Sequence, residues 1–226
     1  MDSNTDMMQD SALGGVLSDL RTAVHMAWFN GSAEQELSMA QQKSHAVLAN
    51  VLHVLDALLV SRQLEDQTTL QIEPINVGSV MADVAHRLYP YAKALDCSID
   101  VVVSSAQRPV IANRDLLETA LLALGSSVVS VKSFGETAVG KPIVLAANSR
   151  AHSVQLGMYA QILENFAARS STHTSYDAVA AGGAGVWVAE LLMQRMAATL
   201  KQSSFQKTPG YATALPYSPQ LTLGSF

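Results

Sequence analysis

The chain has a single cysteine, Cys97. No intramolecular disulfide can form, so a packed core must hold the fold, and this usage fits a reducing compartment. No apolar run approaches the ~20 residues that a membrane-crossing helix needs. Lysine and arginine nowhere cluster and the formal net charge is −5. That balance argues against a basic surface for nucleic acid or anionic lipid. His86 and His152 have no cysteine or carboxylate partners at ligand spacing, so no metal site is expected. Met1–Gln9 is polar and acidic, unlike a signal peptide, and is expected to be disordered. Together these absences predict a cytoplasmic protein with no membrane insertion and no nucleic-acid partner. What is present is apolar: 49% of the residues are hydrophobic, enough for a sizeable core.

The chain is organised around Glu34–Asp66, a stretch without glycine or proline. Val47, Val51, Val54 and Leu58 form one stripe at helical spacing, and Leu48, Leu52, Leu55 and Leu59 form a second beside it. Two adjacent stripes make an apolar face too wide for one helical neighbour. An earlier helix is predicted from Asp10 to Phe29, with Leu13, Leu17, Leu20, Val24 and Ala27 in a heptad-like stripe. Its opposite face carries Ser18, Thr22, His25 and Phe29. Asn30-Gly31 ends it, and Ser32 with Gln35 three residues later reads as a capping box opening the next helix. The prediction is an antiparallel helical hairpin over residues 10–66. Alone it leaves one stripe in water, so it is expected to pair into a homodimer with a four-helix core.

Beyond Asp66 the pattern changes. Leu70–Ile72 alternates like a short strand that Pro74 ends. Asn76 caps a predicted helix from Val77 to Ala94, with Val80, Val84, Leu88 and Tyr91 on one face. Ser98–Ser104 is rich in β-branched residues and reads as a strand, followed by a turn at Arg108-Pro109. Asn113 caps a helix from Arg114 to about Ser130, with Leu117, Leu121 and Leu124 inward. Strands are predicted at Ile143–Ala147 and Val154–Met158, a helical segment at Gln161–Arg169 and a loop at Ser170–Ala181. Gly182–Gly185 leads into a helix from Val186 to Leu200. A hairpin of Ser203–Phe205 and Tyr211–Leu215 should close the chain around Pro209-Gly210. The predicted class is α+β: the hairpin, then over residues 67–226 an α/β sandwich with helices on one face of a mixed sheet.

That order of elements resembles the cytoplasmic core of bacterial sensor histidine kinases, over about Ser11 to Leu221. Ser18-Asp19-Leu20-Arg21-Thr22-Ala23-Val24 looks like the phospho-acceptor box H-E-L-R-T-P-L, with serine in place of the histidine and alanine in place of the proline. The end of the second helix, LLVSRQLED, is similar to L-L-D-L-S-R-L-E. Further on the motifs thin. Ala123-Leu124-Gly125-Ser126-Ser127-Val128 stands where the family's magnesium-binding N-L-x-x-N-A would be. No aspartate lies between Asp115 and Asp177 for the adenine-binding D-x-G-x-G. Gly183-Ala184-Gly185-Val186-Trp187-Val188 keeps part of G-x-G-L-G-L, with Trp187 in a glycine's place, where it would crowd a phosphate.

The resemblance implies a histidine-kinase-like ATPase sandwich, and the departures imply a degenerate one. Mg²⁺ needs closely held oxygen ligands, which Ala123 cannot offer and Ser127 offers poorly. Lys132 and Lys141 are the nearby cations that could face phosphate instead. A serine acceptor needs a general base, and Asp19 points about 100° away from Ser18 on a helix. The expectation from sequence is therefore a non-enzyme without cofactor. It would dimerise and dock a response-regulator receiver domain, or another histidine kinase, on the face bearing Ser18, Asp19, Arg21, Thr22 and His25. Ala123, Ser127, Gly183, Gly185 and Trp187 would mark the altered nucleotide pocket. Two other readings stay open: a histidine phosphotransferase using His25 as a displaced acceptor, and a module that senses nucleotide without turnover.

Overall fold

The computed structural model describes residues 20, 21, 24, 39–63, 70–104, 108–134, 141–161 and 184–219. The chain divides into two compact units, Met1–Thr68 and Thr69–Phe226.

In the first unit, α1 (Met39–Gln63) carries the double stripe. Leu55 and Ala57 are buried, and Val47 and Val51 are 40% and 37% exposed. Leu20, Arg21 and Val24 are helical, and Arg21 Nε pairs with Asp56 Oδ1 of α1 at 2.5 Å. The rest of the expected first helix and its turn, with Ser18, Asp19, Thr22 and His25, lie outside the described residues.

The second unit is a mixed sheet with helices against it. Its elements in order are β1 (Glu73–Ile75), α2 (Val77–Ala94), β2 (Ile99–Val103), β3 (Val110–Ala112), α3 (Arg114–Phe134), β4 (Ile143–Ser149), β5 (Ser153–Tyr159), α4 (Ala184–Arg195), β6 (Lys201–Phe205) and β7 (Thr208–Pro216). The main sheet has the order β2-β4-β5-β7-β6, parallel between β2 and β4 and antiparallel elsewhere. β1 and β3 form a separate antiparallel pair.

Period-two alternation sorts the sheet's faces. Leu145, Leu156, Met158, Tyr211 and Leu215 are buried on the side where α2 and α3 pack. α2 begins where Asn76 Oδ1 accepts the Ser79 N–H at 3.2 Å, and it buries Val80, Val84, Leu88 and Tyr91 as its spacing predicts. α3 begins where Asn113 Oδ1 accepts the Leu116 N–H at 2.9 Å, and Leu117, Leu121 and Leu124 are buried. It continues to Phe134, a turn beyond its predicted end.

On the other face a smaller apolar cluster forms around Tyr159, with Ala146, Ala212, Val144 and Phe205. Tyr159 lies opposite Gly210, where a Cβ would come within 2.6 Å of the ring, and it meets Phe205 at 5.5 Å between centroids. Only a glycine leaves room for that ring across the strand pair.

Three expectations are corrected. Pro74 does not end a strand but sits inside β1, an edge strand where its missing N–H costs no ladder bond. β3 follows directly after Arg108-Pro109, and it was not foreseen because it is three residues long. The final hairpin turns at Gln206-Lys207 rather than at Pro209-Gly210, which lie within β7 paired to Ser204 and Ser203.

Gln206 and Lys207 both have positive φ, 49° and 67°. That is the backbone of a two-residue type I′ turn, which favours Asn-Gly and strains other residues. We expect Gln206→Asn with Lys207→Gly to raise stability by about 1 kcal/mol. Urea denaturation followed by circular dichroism checks this; an unchanged or lower midpoint would remove strain from the account of this turn.

Candidate functional site

Four of the five residues marked as an altered nucleotide pocket are described, and three of them meet. Ala123 and Ser127 are one helical turn apart on α3. Gly185 is the second residue of α4. Its N–H donates to Ser127 Oγ at 3.0 Å, in a fully buried contact. The α4 backbone comes so near α3 that a Cβ at position 185 would overlap the Ala123 carbonyl oxygen and lie 2.6 Å from Ser127 Oγ. Gly183 lies outside the described residues.

This closeness has a local cause. From Ala120 to Val129 every residue of α3 is buried, so the helix has no solvent face there. Its small residues, Ala123, Gly125, Ser126 and Ser127, let neighbours approach the backbone. The first N–H groups of a helix have no partner within it. At α4 one of them is met by the Ser127 hydroxyl, which acts across the interface much as an N-cap does from within.

Trp187 does not join the junction. It is 42% exposed, whereas Gly185, Val188, Ala189 and Leu192 are buried. Two residues along a helix is a rotation of about 200°, so Trp187 falls opposite Gly185. Its exposed ring lies away from the contact between Gly185 and Ser127.

The two lysines differ as well. Lys132 is buried to 8% exposure, and its Nζ donates to the backbone carbonyl of Lys141. It is committed to holding the end of α3 to the start of β4. Lys141 Nζ is exposed and reaches Gln161 Oε1 at 3.4 Å. Cys97 packs beside the same stretch of α3, with Sγ 3.5 Å from the Leu95 carbonyl and 4.0 Å from that of Val129. Burial pushes its thiol pKa up; Lys132 opposes the rise and Asp96 adds to it. Among the described residues no three His, Cys, Asp or Glu side chains converge as metal ligands would. No described helix is long and apolar enough to cross a membrane.

Of the proposed docking face, only Arg21 is described; its side chain is half exposed and paired with Asp56. The junction of Ser127 with Gly185 spans 58 positions in sequence. No periodicity signals such a contact, and only the motif resemblance placed the two residues together.

No family model matches the sequence, and no curated protein resembles it in sequence. Solved structures do match in shape. Full-length ShkA in complex with AMPPNP superposes with a TM-score of 0.57 at 15% identity, over 93% of this chain and 46% of that one. The chain thus spans about half of ShkA's length. The histidine kinase AdeS of Acinetobacter baumannii gives 0.56 at 14% identity, over 89% and 95% of the two chains. The histidine kinase ThkA, in complex with the response regulator TrrA, gives 0.56 at 10% identity, over 94% and 62%.

At such identities the likeness establishes the fold, which is histidine-kinase-like. It also corrects the expectation of a non-enzyme. The chains that share this fold are kinases by name, so the altered motif letters do not put this chain outside an enzymatic fold.

Two outcomes are expected. Gly185→Ala forces a methyl into a backbone carbonyl and should cost about 1–3 kcal/mol. Ser127→Ala, which leaves a buried N–H unmet, should cost about 1–2 kcal/mol. Thermal denaturation of both variants checks the pair, and a neutral Gly185→Ala would contradict the close approach. The Cys97 thiolate should form only above the ordinary thiol range of about 8.5. Its iodoacetamide rate should therefore keep rising with pH past the point where a free thiol levels off. Folding holds the protonated thiol, so this group's contribution is intact below the unfolded pKa and lost as pH climbs through the folded one.

Proposed function

We propose that this chain is a histidine-kinase-like signalling protein. In this reading it dimerises through residues 10–66 and binds a response-regulator receiver domain, or a partner kinase, on the face bearing Ser18, Asp19, Arg21, Thr22 and His25. The observation that carries it is the likeness over most of the chain to a histidine kinase captured with its response regulator. Fold likeness alone is an analogy for function. It is joined here by a feature of the first unit: Leu20, Val47 and Val51 are exposed at 48%, 40% and 37%. β-branched and leucine side chains left in water at helical spacing favour association with another apolar helix face.

The altered pocket belongs to the same reading. Ser127 and Gly185 meet where the resemblance places the family's metal-binding and glycine motifs.

The test has two parts. Light scattering should give twice the chain mass for the wild type and a smaller particle for Val47→Asp with Val51→Asp. Calorimetry against receiver domains encoded beside this gene should find one that binds in the micromolar range, weakened about tenfold by Arg21→Glu. A wild-type monomer, or no binding to any receiver domain or kinase tried, would defeat the proposal.

A further inference from the structure

At the end of the main sheet where β2, β4 and β7 finish, chain segments distant in sequence are tied together. The Ser218 N–H donates to the Pro109 carbonyl at 2.8 Å, and the Tyr217 N–H to the His152 carbonyl at 3.4 Å. Arg150 N donates to the Ser153 carbonyl at 2.8 Å, closing the turn between β4 and β5. Tyr217 bridges to Val110 of β3, and its hydroxyl donates to the Arg150 carbonyl at 2.9 Å. The backbone carrying Arg108, Arg150 and His152 is therefore held from several sides.

The two arginine side chains are positioned as well. Arg108 Cζ lies 5.8 Å from the Tyr217 ring centre, a cation–π distance. Arg150 donates from Nε and Nη2 to the single oxygen Gln155 Oε1, at 3.0 and 2.6 Å. Gln155 is held in turn by donating to Ser203 Oγ at 2.9 Å. A guanidinium has five N–H donors in a rigid fork, so three remain on Arg150 beyond these bonds. Both arginines and His152 are exposed.

Among the described residues these arginines have no carboxylate partner. Among the described residues, Arg21, Arg87 and Arg114 pair with Asp56, Glu118 and Asp83. Neither Arg108 nor Arg150 faces an acid there. Carboxylates outnumber lysine and arginine in this chain, 19 to 14, so leaving two oriented guanidinium groups without one goes against the overall balance. Arginine and tyrosine side by side, already ordered, are the residues that carry binding energy at protein interfaces. Ordering them in advance lowers the cost of association.

We propose that the end of the sheet formed by Arg108, Tyr217 and Arg150 docks an acidic, Asp- or Glu-bearing segment of a partner protein. A nucleic acid is the poorer occupant, because the cluster holds two arginines rather than a basic stripe and the whole chain is negative. This surface lies on the second unit and does not depend on the docking face proposed for residues 10–66.

The experiment uses the full chain and a fluorescein-labelled oligoglutamate peptide, read by anisotropy. The wild type should bind, and binding should fade as NaCl is raised to about 0.5 M, because the contact is between charges. Arg108→Glu with Arg150→Glu should weaken it by roughly thirtyfold or more, and Arg150→Ala alone by several fold. Lys201→Glu with Lys207→Glu, a reversal of the same size at two exposed lysines, should leave it within about twofold. Circular dichroism would confirm that each variant is folded. No binding by the wild type, an equal loss from the lysine pair, or tighter binding of duplex DNA than of peptide would each overturn the proposal.

Discussion

The second unit depends on one helix that never reaches solvent along its middle. α3 is enclosed from Ala120 to Val129, with α2 and α4 packed beside it and β5 beneath. A helix enclosed on all sides needs small residues where its neighbours come nearest. Gly125 is one: a Cβ there would strike Leu88 of α2 and sit 2.8 Å from Met158 of β5. Ala123 and Ser127 are the others, since Gly185 of α4 rests on them. At Gly125 an added methyl meets side-chain ends, which must shift; at Gly185 it meets the Ala123 backbone, so the helices themselves must part.

This gives the stretch Ala123–Ser127 a physical meaning that sequence comparison alone did not supply. Beside the kinase motif it reads as alanine and serine where two asparagines would stand. In the folded chain Gly125 faces Leu88 and Met158, and Ser127 accepts the Gly185 N–H.

Much of the fold was legible where the signal is local. Asn76 and Asn113 announced two helices because a side-chain oxygen three residues before an unmet N–H is a short-range arrangement. The strands β4 and β5 were legible because buried β-branched and aliphatic residues cluster within seven positions. The errors came where strand pairing overrides local turn chemistry. Pro209-Gly210 is strong turn chemistry, yet ladder pairing to Ser203 and Ser204 kept it in a strand and moved the turn to Gln206-Lys207. Glycine at 210 answers to the Met158 carbonyl and the Tyr159 ring on the neighbouring strand, and not to a turn. Trp187 is the instructive case at the candidate site, because the signal was present. Gly185, Val188, Ala189 and Leu192 define a helical phase that leaves position 187 outside.

Charge in this unit sets arrangement more than energy. Asp83 and Arg87 lie one turn apart on α2, and Arg114 and Glu118 one turn apart on α3. They pair as Arg114 with Asp83 and Arg87 with Glu118, each at 2.6 Å. Such partly exposed pairs contribute about 0–1 kcal/mol each, little beside the buried leucines between the helices. Their order matters more. Sliding α2 by one turn would bring Arg87 opposite Arg114, or Asp83 opposite Glu118, and like charges would then face each other. The square of alternating signs thus penalises the nearest wrong register, while packing around Gly125 rewards the right one. The arginines at the far end of the sheet take no part in such a square, which is why their charge remains directed outward rather than inward to the fold.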